Sequence, residues 1–403
     1  MHFVFFVHPS FLLHKSMPRY ARMIMDGLKE RGHTVEVWSP KARAFTLPAP
    51  KAVKKWLGYI DQYILFPQEV RSRLKGCSPD TFFVVTDNAL GPWVPLIADR
   101  LHAIHCHDFI AQRSALGEIL EHKTSWTGQQ YQAFIRRGYL KGRHFICVSQ
   151  QTKDELIQML AAPPARADVV YNSLDESFQP LHAEQARVKL GNQIGVDLTS
   201  GYLLHIGGNF WYKNRTGVIE MYDAWRSKSR TGLPLLLVGE DMGSGSVGAA
   251  YARSPYRKNI HFVSDLSNES VRQAYAGAQL LLFPSMAEGF GWPIIEAMSM
   301  KCPVLTTSEA PMTEVAGKAA FLVPRRPSDA NLAVAWATSA ADVIERILTL
   351  PPPYRQQVIE EGLTNVQRFD YEQMMDQLER IYQEIAHSSA RFSTTEVGNL
   401  TLS

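Results

Sequence analysis

The sequence lacks the features that would place the protein in several specialised classes. Its 403 residues include only 4 cysteines, none in a paired spacing, which argues against a zinc site or a disulfide framework and for a reducing compartment. The formal net charge of +3 is too small to indicate a nucleic-acid partner. No apolar run has the length of a membrane-spanning helix, and the first residues lack the basic start of a signal peptide. We expect a cytoplasmic protein and leave open a peripheral position on the inner face of the membrane.

Length and composition predict an ordinary globular protein of two domains. With 45% hydrophobic and 20% charged residues, the chain has enough apolar material for two separate cores. Buried strands are predicted at 3–7 and 34–38, with an amphipathic helix at 20–30 between them. Because strands and helices continue to alternate along the chain, we expect an α/β fold with parallel, doubly wound sheets.

The most informative stretch runs from 280 to 317. It begins with a short apolar run at 280–283 that ends at Pro284, and a second apolar run follows at 303–307. Between the two runs lie a glycine-containing loop and a predicted helix that begins near Pro293. The pattern predicts a strand, a loop, a helix and a second strand, in that order.

The loop of this unit carries groups that could hold a nucleotide sugar. Backbone N–H groups at Gly289, Phe290 and Gly291 come just before the helix, where the helix dipole favours a phosphate. Glu288 and Glu296 flank the loop with seven residues between them. Carboxylates accept hydrogen bonds from sugar and ribose hydroxyls. The alternative is an ordinary strand-to-helix turn in which Glu288 serves only the start of the helix.

The stretch from 284 to 317 resembles the donor-site motif of retaining glycosyltransferases of family 4, which have the GT-B fold. In that family, two glutamates with this spacing face the nucleotide sugar. The resemblance therefore implies that Glu288 holds hydroxyls of the donor sugar and that Glu296 holds the ribose. It also implies two Rossmann-like domains that face each other across a cleft, with a C-terminal helix that crosses back to the first domain.

The same resemblance suggests domain boundaries. The expected N-terminal, acceptor-binding domain comprises residues 1–180 together with the crossing helix at 370–387. The expected donor-binding domain comprises 198–369, and 388–403 form a flexible tail. The polar, weakly patterned segment at 176–200 is predicted to connect the two domains.

A second match to the family follows the predicted strand at 203–207. Gly207 and Gly208 form a turn before a helix, a geometry that receives anions. In the family, an arginine and then a lysine in this segment bind the diphosphate and stabilise the departing charge. Lys213 matches the lysine, whereas Asn209 stands where the arginine often is. A solvated lysine at a helix start is the alternative for Lys213.

The first loop of the chain departs from the family pattern. Members usually have a glycine pair there, which Lys15 and Ser16 replace in this sequence. These two residues are candidates for contact with phosphate or acceptor, although a plain surface loop is an equal alternative. Lys15 and Arg215 are also candidates to supply the positive charge that Asn209 lacks.

Further candidates lie in the predicted N-terminal domain. His105 and His107 alternate along a predicted strand but lack a third ligand at a convincing spacing, so no metal site is predicted. His107 and Asp108 match a His-Asp or His-Glu pair at the edge of the family's cleft, which implies that His107 contacts the donor sugar or the reacting centre. A purely structural histidine is the alternative. Asn172 matches the first residue of the family's Asn-Gly-Val-Asp segment and is a further candidate for phosphate or acceptor contact.

The positive charge of the chain is concentrated near its start. Residues 1–75 contain 13 Lys and Arg against 5 Asp and Glu. Within them, an apolar stripe has helical spacing and three lysines lie off it; the stripe is Val53, Trp56, Leu57, Ile60 and Ile64, and the lysines are Lys51, Lys54 and Lys55. The stripe predicts either a helix that lies on an anionic membrane or a helix that faces the core.

Together these features predict a retaining glycosyltransferase that moves a hexose from a UDP-, GDP- or ADP-linked sugar to a glycan or glycolipid acceptor. Surface polysaccharide or glycolipid biosynthesis is the expected setting. No Asp-x-Asp occurs in the sequence, so we expect a metal-independent reaction without a cofactor. The alternatives are a nucleotide-sugar epimerase on the same scaffold and a catalytically inactive protein that binds nucleotide sugars.

Overall fold

The computed structural model describes the backbone of residues 1–12, 16–243 and 245–398, and their side chains except at 16, 51, 52 and 389–398. The chain divides into two compact units. The first contains Met1–Tyr171 and the chain from Glu372 onward, and the second contains Asn172–Tyr371. Each unit holds a six-stranded parallel sheet, so the predicted α/β class is confirmed.

In the first unit, the sheet follows the spatial order β2-β1-β3-β4-β5-β6. Its strands are β1 (His2–Phe6), β2 (Thr34–Trp38), β3 (Phe82–Val85), β4 (His102–Cys106), β5 (His144–Cys147) and β6 (Arg166–Val169). Every residue of β3 and β4 is buried, as expected for strands that are covered on both faces. The order of the strands reverses between β1 and β3, so their carboxyl ends form the topological switch point, where α/β sheets bind ligands.

The helices of this unit are α1 (Ser16–Glu30), α2 (Lys51–Ile60), α3 (Phe66–Leu74), α4 (Ile110–Ala115), α5 (Trp126–Tyr139) and α6 (Gln150–Met159). Helix α1 begins four residues before the predicted start at residue 20. A π-helical turn, Asp61–Leu65, joins α2 to α3. The buried Asp61 carboxylate accepts backbone N–H groups of Arg43, Ala44 and Phe45 at 2.8–3.2 Å, and this fixes the preceding loop against the helix.

In the second unit, the sheet follows the order β12-β11-β10-β7-β8-β9 and reverses between β7 and β10. Its strands are β7 (Leu203–Gly207), β8 (Leu235–Gly239), β9 (Ile260–Ser264), β10 (Leu280–Phe283), β11 (Val304–Thr307) and β12 (Phe321–Val323). The helices are α7 (Ala183–Ile194), α8 (Arg215–Arg226), α9 (Ser246–Arg253), α10 (Asn268–Gly277), α11 (Trp292–Ser299), α12 (Met312–Ala316), α13 (Ala330–Leu348) and α14 (Pro352–Val366). The last helix, α15 (Tyr371–Gly398), lies almost wholly in the first unit.

Two segments contain helix beyond what the sequence indicated. Helix α7 forms within residues 176–200 and packs on α10, where Arg187 Nε donates to the Gly277 carbonyl at 2.8 Å. The sequence of α7 has weak apolar periodicity, and few of its residues are buried. The backbone of α15 continues to Gly398, and residues 399–403 of the predicted tail lie outside the described residues.

We expect the first unit to lose stability in acid because His105 stays neutral in the fold. His105 is fully buried, with Nδ1 2.6 Å from Tyr20 Oη and Nε2 2.7 Å from Tyr382 Oη. Burial, aided by the charge of His107, lowers the pKa of His105 to about 3. Between about pH 6.5 and about pH 3 the unfolded chain therefore takes up a proton that the folded chain does not, and stability falls as the pH falls.

Urea titrations of the wild type and a His105→Gln variant measure this effect. Lowering the pH from about 7.5 to about 5.5 should cost the wild type about 1.4 kcal/mol more of its free energy of unfolding than it costs the variant. An equal pH dependence of the two proteins would contradict the assignment of a neutral His105.

Candidate functional site

The candidate site of the second unit lies at the switch point of its sheet, at the carboxyl ends of β7 and β10. After β7 the chain turns through Gly207 and Gly208. Gly239, at the end of β8, has φ +138°, and a Cβ there would lie 2.4 Å from the Gly207 carbonyl oxygen. Glycine is required at this approach, because any side chain would force the ends of β7 and β8 apart. The backbone of the turn is therefore packed directly against the neighbouring strand.

Lys213 and Glu288 form an ion pair at this edge of the sheet. The Lys213 Nζ lies 2.7 Å from Oε1 and 3.0 Å from Oε2 of Glu288. The side chains are 18% and 9% exposed, so the pair is largely shielded from water but reaches the surface. The two residues are 75 positions apart in the chain. The structure thus brings together a lysine and a carboxylate that the sequence analysis assigned separately to a donor ligand.

Two contacts hold this pair in place. Asn214 adopts φ +54° and caps α8, since its Oδ1 accepts the Gly217 N–H at 3.2 Å while its Nδ2 donates to the Pro284 carbonyl at 2.9 Å. The Met286 N–H donates to the Tyr212 carbonyl at 2.7 Å. The loop after β7 is therefore tied on both sides of Lys213 to the loop after β10.

The Asn209 side chain, at the position where the family often has an arginine, makes hydrogen bonds within the protein. Its Nδ2 donates to the Asp241 carbonyl at 2.7 Å, and its Oδ1 accepts from Arg215 Nη1 at 2.5 Å. The amide therefore joins the loop after β7 to the loop after β8 and to the start of α8. The structure gives Asn209 a role in shaping the loop after β7, and direct contact with a diphosphate stays a prediction.

Arg215 is the residue that organises these loops. It is 1% exposed and also donates to the carbonyls of Glu240 at 2.8 Å and Leu237 at 3.1 Å. Burial lowers its pKa to about 10, against the opposing charges of Glu240 and Asp241. Its two terminal nitrogens donate to these acceptors, so Arg215 supports the loops after β7 and β8 from within the fold.

The loop after β10 leads into α11 through Gly291, which has φ +106° and stands at the N-cap position. Pro293 lies in the first turn of the helix, as predicted. Glu296 lies within α11, is buried, and accepts a hydrogen bond from Tyr275 Oη at 2.9 Å. Tyr275, on α10, was not identified from the sequence; it fixes the carboxylate that the resemblance assigns to the ribose. The roles of Gly289 and Phe290 in this loop stay predictions.

His205, within β7, was also missed by sequence analysis. Its Nδ1 lies 2.8 Å from the Leu282 carbonyl, which can only accept, so this nitrogen carries the proton. Burial lowers its pKa to about 3, and the charges of Arg215 and Lys213 act in the same direction. His205 is therefore neutral beneath the Gly207 turn and leaves Lys213 as the cation of the pair.

The candidate residues of the first unit lie at the carboxyl ends of β1, β3 and β4. His107 is buried, and its Nε2 lies 2.9 Å from the Thr86 carbonyl, which fixes the proton on Nε2. Burial lowers the pKa of His107, although the nearby Asp87 carboxylate opposes this effect. With this proton on Nε2, the Nδ1 of His107 makes no hydrogen bond within the described part of the chain. Such a nitrogen can accept a hydrogen bond from a sugar hydroxyl.

A hydrogen-bonded pair that sequence analysis missed lies beside His107. His8 Nε2 is 2.8 Å from Asp87 Oδ2, and the two side chains are 10% and 12% exposed. Asp87 Oδ1 accepts the Ala89 N–H at 2.8 Å. Burial alone would raise the pKa of Asp87, but the hydrogen bond from His8 and the charges of His8 and His107 hold it below its usual value. The carboxylate therefore stays ionised.

The remaining candidates differ in how far the structure describes them. Lys15 lies outside the described residues, and Ser16 begins α1 without a described side chain. Asp108 Oδ1 accepts the Ile110 N–H at 3.1 Å, a turn contact. Asn172 is buried, and its Oδ1 has no hydrogen-bond partner among the described residues. Contacts of these residues with a ligand stay predictions.

Comparison with protein families covers both units. Residues 17–178 match the family model described as Glycosyltransferase Family 4, and residues 201–342 match the model described as Glycosyl transferases group 1. The two matches together span about three quarters of the chain. The chain belongs to glycosyltransferase family 4. The family resemblance stated from the sequence is confirmed.

This family 4 chain is similar to a curated mannosyltransferase. It is 28% identical over 187 residues to the O-antigen chain mannosyltransferase B of Escherichia coli, covering 46% of this chain and 48% of that protein. The chain thus matches about half to three fifths of the length of its curated relatives.

Solved structures match over nearly the whole chain. Sucrose-phosphate synthase of Thermosynechococcus elongatus superposes with a TM-score of 0.71 at 16% identity, covering 96% of this chain and 100% of that one. Anabaena HepE, solved in complex with UDP and glucose, has a TM-score of 0.66 at 15% identity and covers 95% and 100%. The predicted GT-B fold of this family 4 chain is confirmed.

Proposed function

We propose that this chain is a retaining glycosyltransferase that moves a hexose from a nucleotide diphosphate sugar to a glycan or glycolipid acceptor. The assembly of a surface polysaccharide or glycolipid is the proposed setting. The observation that carries the proposal is the Lys213–Glu288 pair at the switch point of the second unit. The name of the E. coli relative, a mannosyltransferase of O-antigen chains, supports the setting, and HepE, which was solved with UDP and glucose, supports a nucleotide-sugar donor.

The pair suggests how the second unit handles the donor. An incoming diphosphate competes with Glu288 for the Lys213 ammonium, since both ligands are oxyanions. When Lys213 turns to the diphosphate, the Glu288 carboxylate becomes an acceptor for hydroxyls of the donor sugar. As the bond between the anomeric carbon and the phosphate oxygen breaks, negative charge grows on the diphosphate, and Lys213 stabilises it. The Glu296 carboxylate, fixed by Tyr275, takes the ribose hydroxyls.

We propose that the reaction needs no metal ion and no cofactor. The sequence contains no Asp-x-Asp, and the described residues contain no group of three His, Cys, Asp or Glu side chains arranged to hold a metal ion. In this mechanism Lys213 carries the charge stabilisation that a metal ion would otherwise supply. Activity that is unchanged in EDTA is the expected result, and activity restored only by an added divalent ion would refute this part of the proposal.

Thermal-shift measurements with a panel of UDP-, GDP- and ADP-sugars test the proposed function. One donor should raise the unfolding temperature, because a ligand that binds only the folded chain stabilises it. Slow release of free sugar from the same donor should follow, with water as the acceptor. Conversion of the donor to an epimer would favour the epimerase alternative, and binding without any turnover would favour an inactive binding protein.

We also propose peripheral contact with an anionic membrane through the first unit. Val53, Trp56, Ile60 and Ile64 are exposed, with Trp56 64% exposed, so the alternative of a core-facing stripe is not supported. The buried face of this region instead consists of Gly58, Asp61 and Gln62. The positive charge of residues 1–75 complements anionic lipids. Within the described residues, no helix is long and apolar enough to cross a membrane.

Sedimentation with phosphatidylcholine vesicles, with and without phosphatidylglycerol, measures this contact. A Trp56→Glu and Ile64→Glu double variant should bind phosphatidylglycerol vesicles at least about 10-fold more weakly, because two exposed apolar anchors are lost and negative charge is added. Val334→Glu, at an exposed apolar residue of α13, is the matched control. If the wild type bound both kinds of vesicle equally, and the double variant bound as tightly as the wild type, this surface would be ruled out.

A further inference from the structure

His205 holds a hydrogen-bond acceptor beneath the Gly207 turn that the proposed function does not use. It lies in β7 and is fully buried, and its Nδ1–H is donated to the Leu282 carbonyl at 2.8 Å. Burial lowers the pKa of the ring to about 3, so the imidazole is neutral and Nε2 carries a lone pair. Nε2 is buried and has no hydrogen-bond partner among the described residues. Since buried polar atoms are nearly always paired, this one calls for a partner.

The side chain of Lys213 lies next to this nitrogen. A Cβ on Gly207 would be 3.2 Å from His205 Nε2 and 3.3 Å from Lys213 Cδ, so a methyl group there would press against both side chains. The Lys213 ammonium lies two bonds beyond Cδ, and rotation about the last bonds of the side chain moves it relative to the imidazole. All of these residues belong to the second unit.

The Lys213 ammonium needs new acceptors when it leaves Glu288. It now contacts both oxygens of that carboxylate, at 2.7 and 3.0 Å. An ammonium has three N–H groups, and this one is largely shielded from water. A bound diphosphate supplies acceptors from the open side of the site. On the protein side, a second carboxylate would repel the diphosphate, whereas the lone pair of a neutral imidazole accepts a hydrogen bond without adding negative charge.

We propose that His205 is a positioning residue for Lys213: when a diphosphate displaces Glu288, the ammonium donates one hydrogen bond to His205 Nε2 and the others to phosphate oxygens. The inference rests on the proposed glycosyltransferase function and deepens its account of the donor site. His205 does not touch the donor in this arrangement. It fixes where the ammonium stands while negative charge grows on the departing diphosphate.

Two substitutions separate this role from a structural role of the ring. In His205→Asn, the amide nitrogen replaces Nδ1 and keeps the bond to Leu282, but no atom replaces Nε2. In His205→Gln, the amide oxygen replaces Nε2, and the donor to Leu282 is lost. A structural role predicts that Asn is the better replacement, whereas the positioning role predicts that Gln is.

Hydrolysis of the donor that the panel of UDP-, GDP- and ADP-sugars identifies is the first measurement. His205→Asn should lower kcat/KM for release of free sugar about 10-fold, the equivalent of one hydrogen bond to a charged group. His205→Gln should keep kcat/KM within about 3-fold of the wild type, even though its unfolding temperature falls. Wild-type kcat/KM in His205→Asn would show that Nε2 has no part in the reaction and would overturn the inference.

Titration calorimetry with the nucleoside diphosphate of that donor shows whether His205 acts through Lys213. His205→Asn should weaken binding about 10-fold in the wild-type background but less than about 2-fold in the Lys213→Ala background, because the group that it positions is then absent. His261→Asn is the matched control, since His261 is half-buried near the amino end of β9 in the same sheet. The control should bind the nucleoside diphosphate as the wild type does.

Two further results would count against the inference. Equal weakening by His205→Asn in both backgrounds would show that the histidine does not act through Lys213. A wild-type protein that neither binds nor turns over any nucleotide sugar would refute the proposed function and this inference together. Turnover by the wild type that is unaffected in His205→Asn would refute this inference alone.

Discussion

A Lys213→Ala variant should turn over its donor at least about 100-fold more slowly than the wild type, as measured by kcat/KM. Lys213 is the cation at the switch point of the second unit, and its ammonium binds both oxygens of Glu288. Without it, the charge that grows on the departing diphosphate has no counterpart from this loop. The buried Arg215 cannot substitute, because its guanidinium already donates to Asn209, Glu240 and Leu237.

Loss of folding has to be separated from loss of catalysis in this variant. Removing Lys213 leaves the largely buried Glu288 carboxylate unpaired, which itself destabilises the fold. Lys228→Ala is the control: Lys228 also pairs at 2.7 Å, with Asp342, but both side chains are well exposed, so the pair contributes little. We expect Lys228→Ala to have wild-type kcat/KM. A folded Lys213→Ala protein that keeps more than about a third of the wild-type kcat/KM would contradict the role of Lys213.

The second large effect is expected at Arg215, on stability rather than on chemistry. Replacing Arg215 with Leu should lower the free energy of unfolding of the second unit by about 3 kcal/mol, because three acceptors lose their donor inside the fold. Donor affinity should fall as well, since Asn209 and the loops after β7 and β8 lose their common anchor. Arg215→Lys should rescue little, because an ammonium cannot span the same three acceptors as a guanidinium.

Urea denaturation and donor titration of the same samples measure both consequences. Arg226→Leu is the matched control, since Arg226 ends the same helix, is half-buried, and donates one hydrogen bond, from Nη1 to the Thr231 carbonyl at 2.7 Å, beside the Tyr256 ring. Its effect should stay below about 1 kcal/mol. An Arg215→Leu protein as stable as this control would show that the loops do not depend on the buried guanidinium.

Much of the fold could be predicted from the sequence because strand and helix patterns are local. The apolar run at 280–283 became β10 with the same bounds, and the strand at 34–38 became β2. Helix α7 was not predicted, because its sequence has weak apolar periodicity and few of its residues are buried. The GT-B assignment came from the motif resemblance, because alternating strands and helices in two domains are compatible with several α/β architectures.

The candidate site could be predicted only in part. Motif positions placed Lys213 and Glu288 in the site, but their ion pair depends on β7 and β10 being neighbours in the sheet. Asn209 looked like a loss of charge, and its link to the buried Arg215 became visible only in three dimensions. The His8–Asp87 pair left no signal, since its members are 79 residues apart and belong to no motif. Side chains that meet across strand ends are set by sheet topology, which spacing along the chain does not reveal.

The most direct test of the account follows the donor itself by proton NMR in the presence of EDTA, with the wild type and Lys213→Ala side by side. The account predicts that one nucleotide sugar is converted to its nucleoside diphosphate and a free sugar that first appears with the donor's own anomeric configuration. The same donor should stay intact with Lys213→Ala. A donor panel left unchanged by the wild type, or turned over equally by both proteins, would contradict the claim that the Lys213–Glu288 site binds and activates a nucleotide sugar.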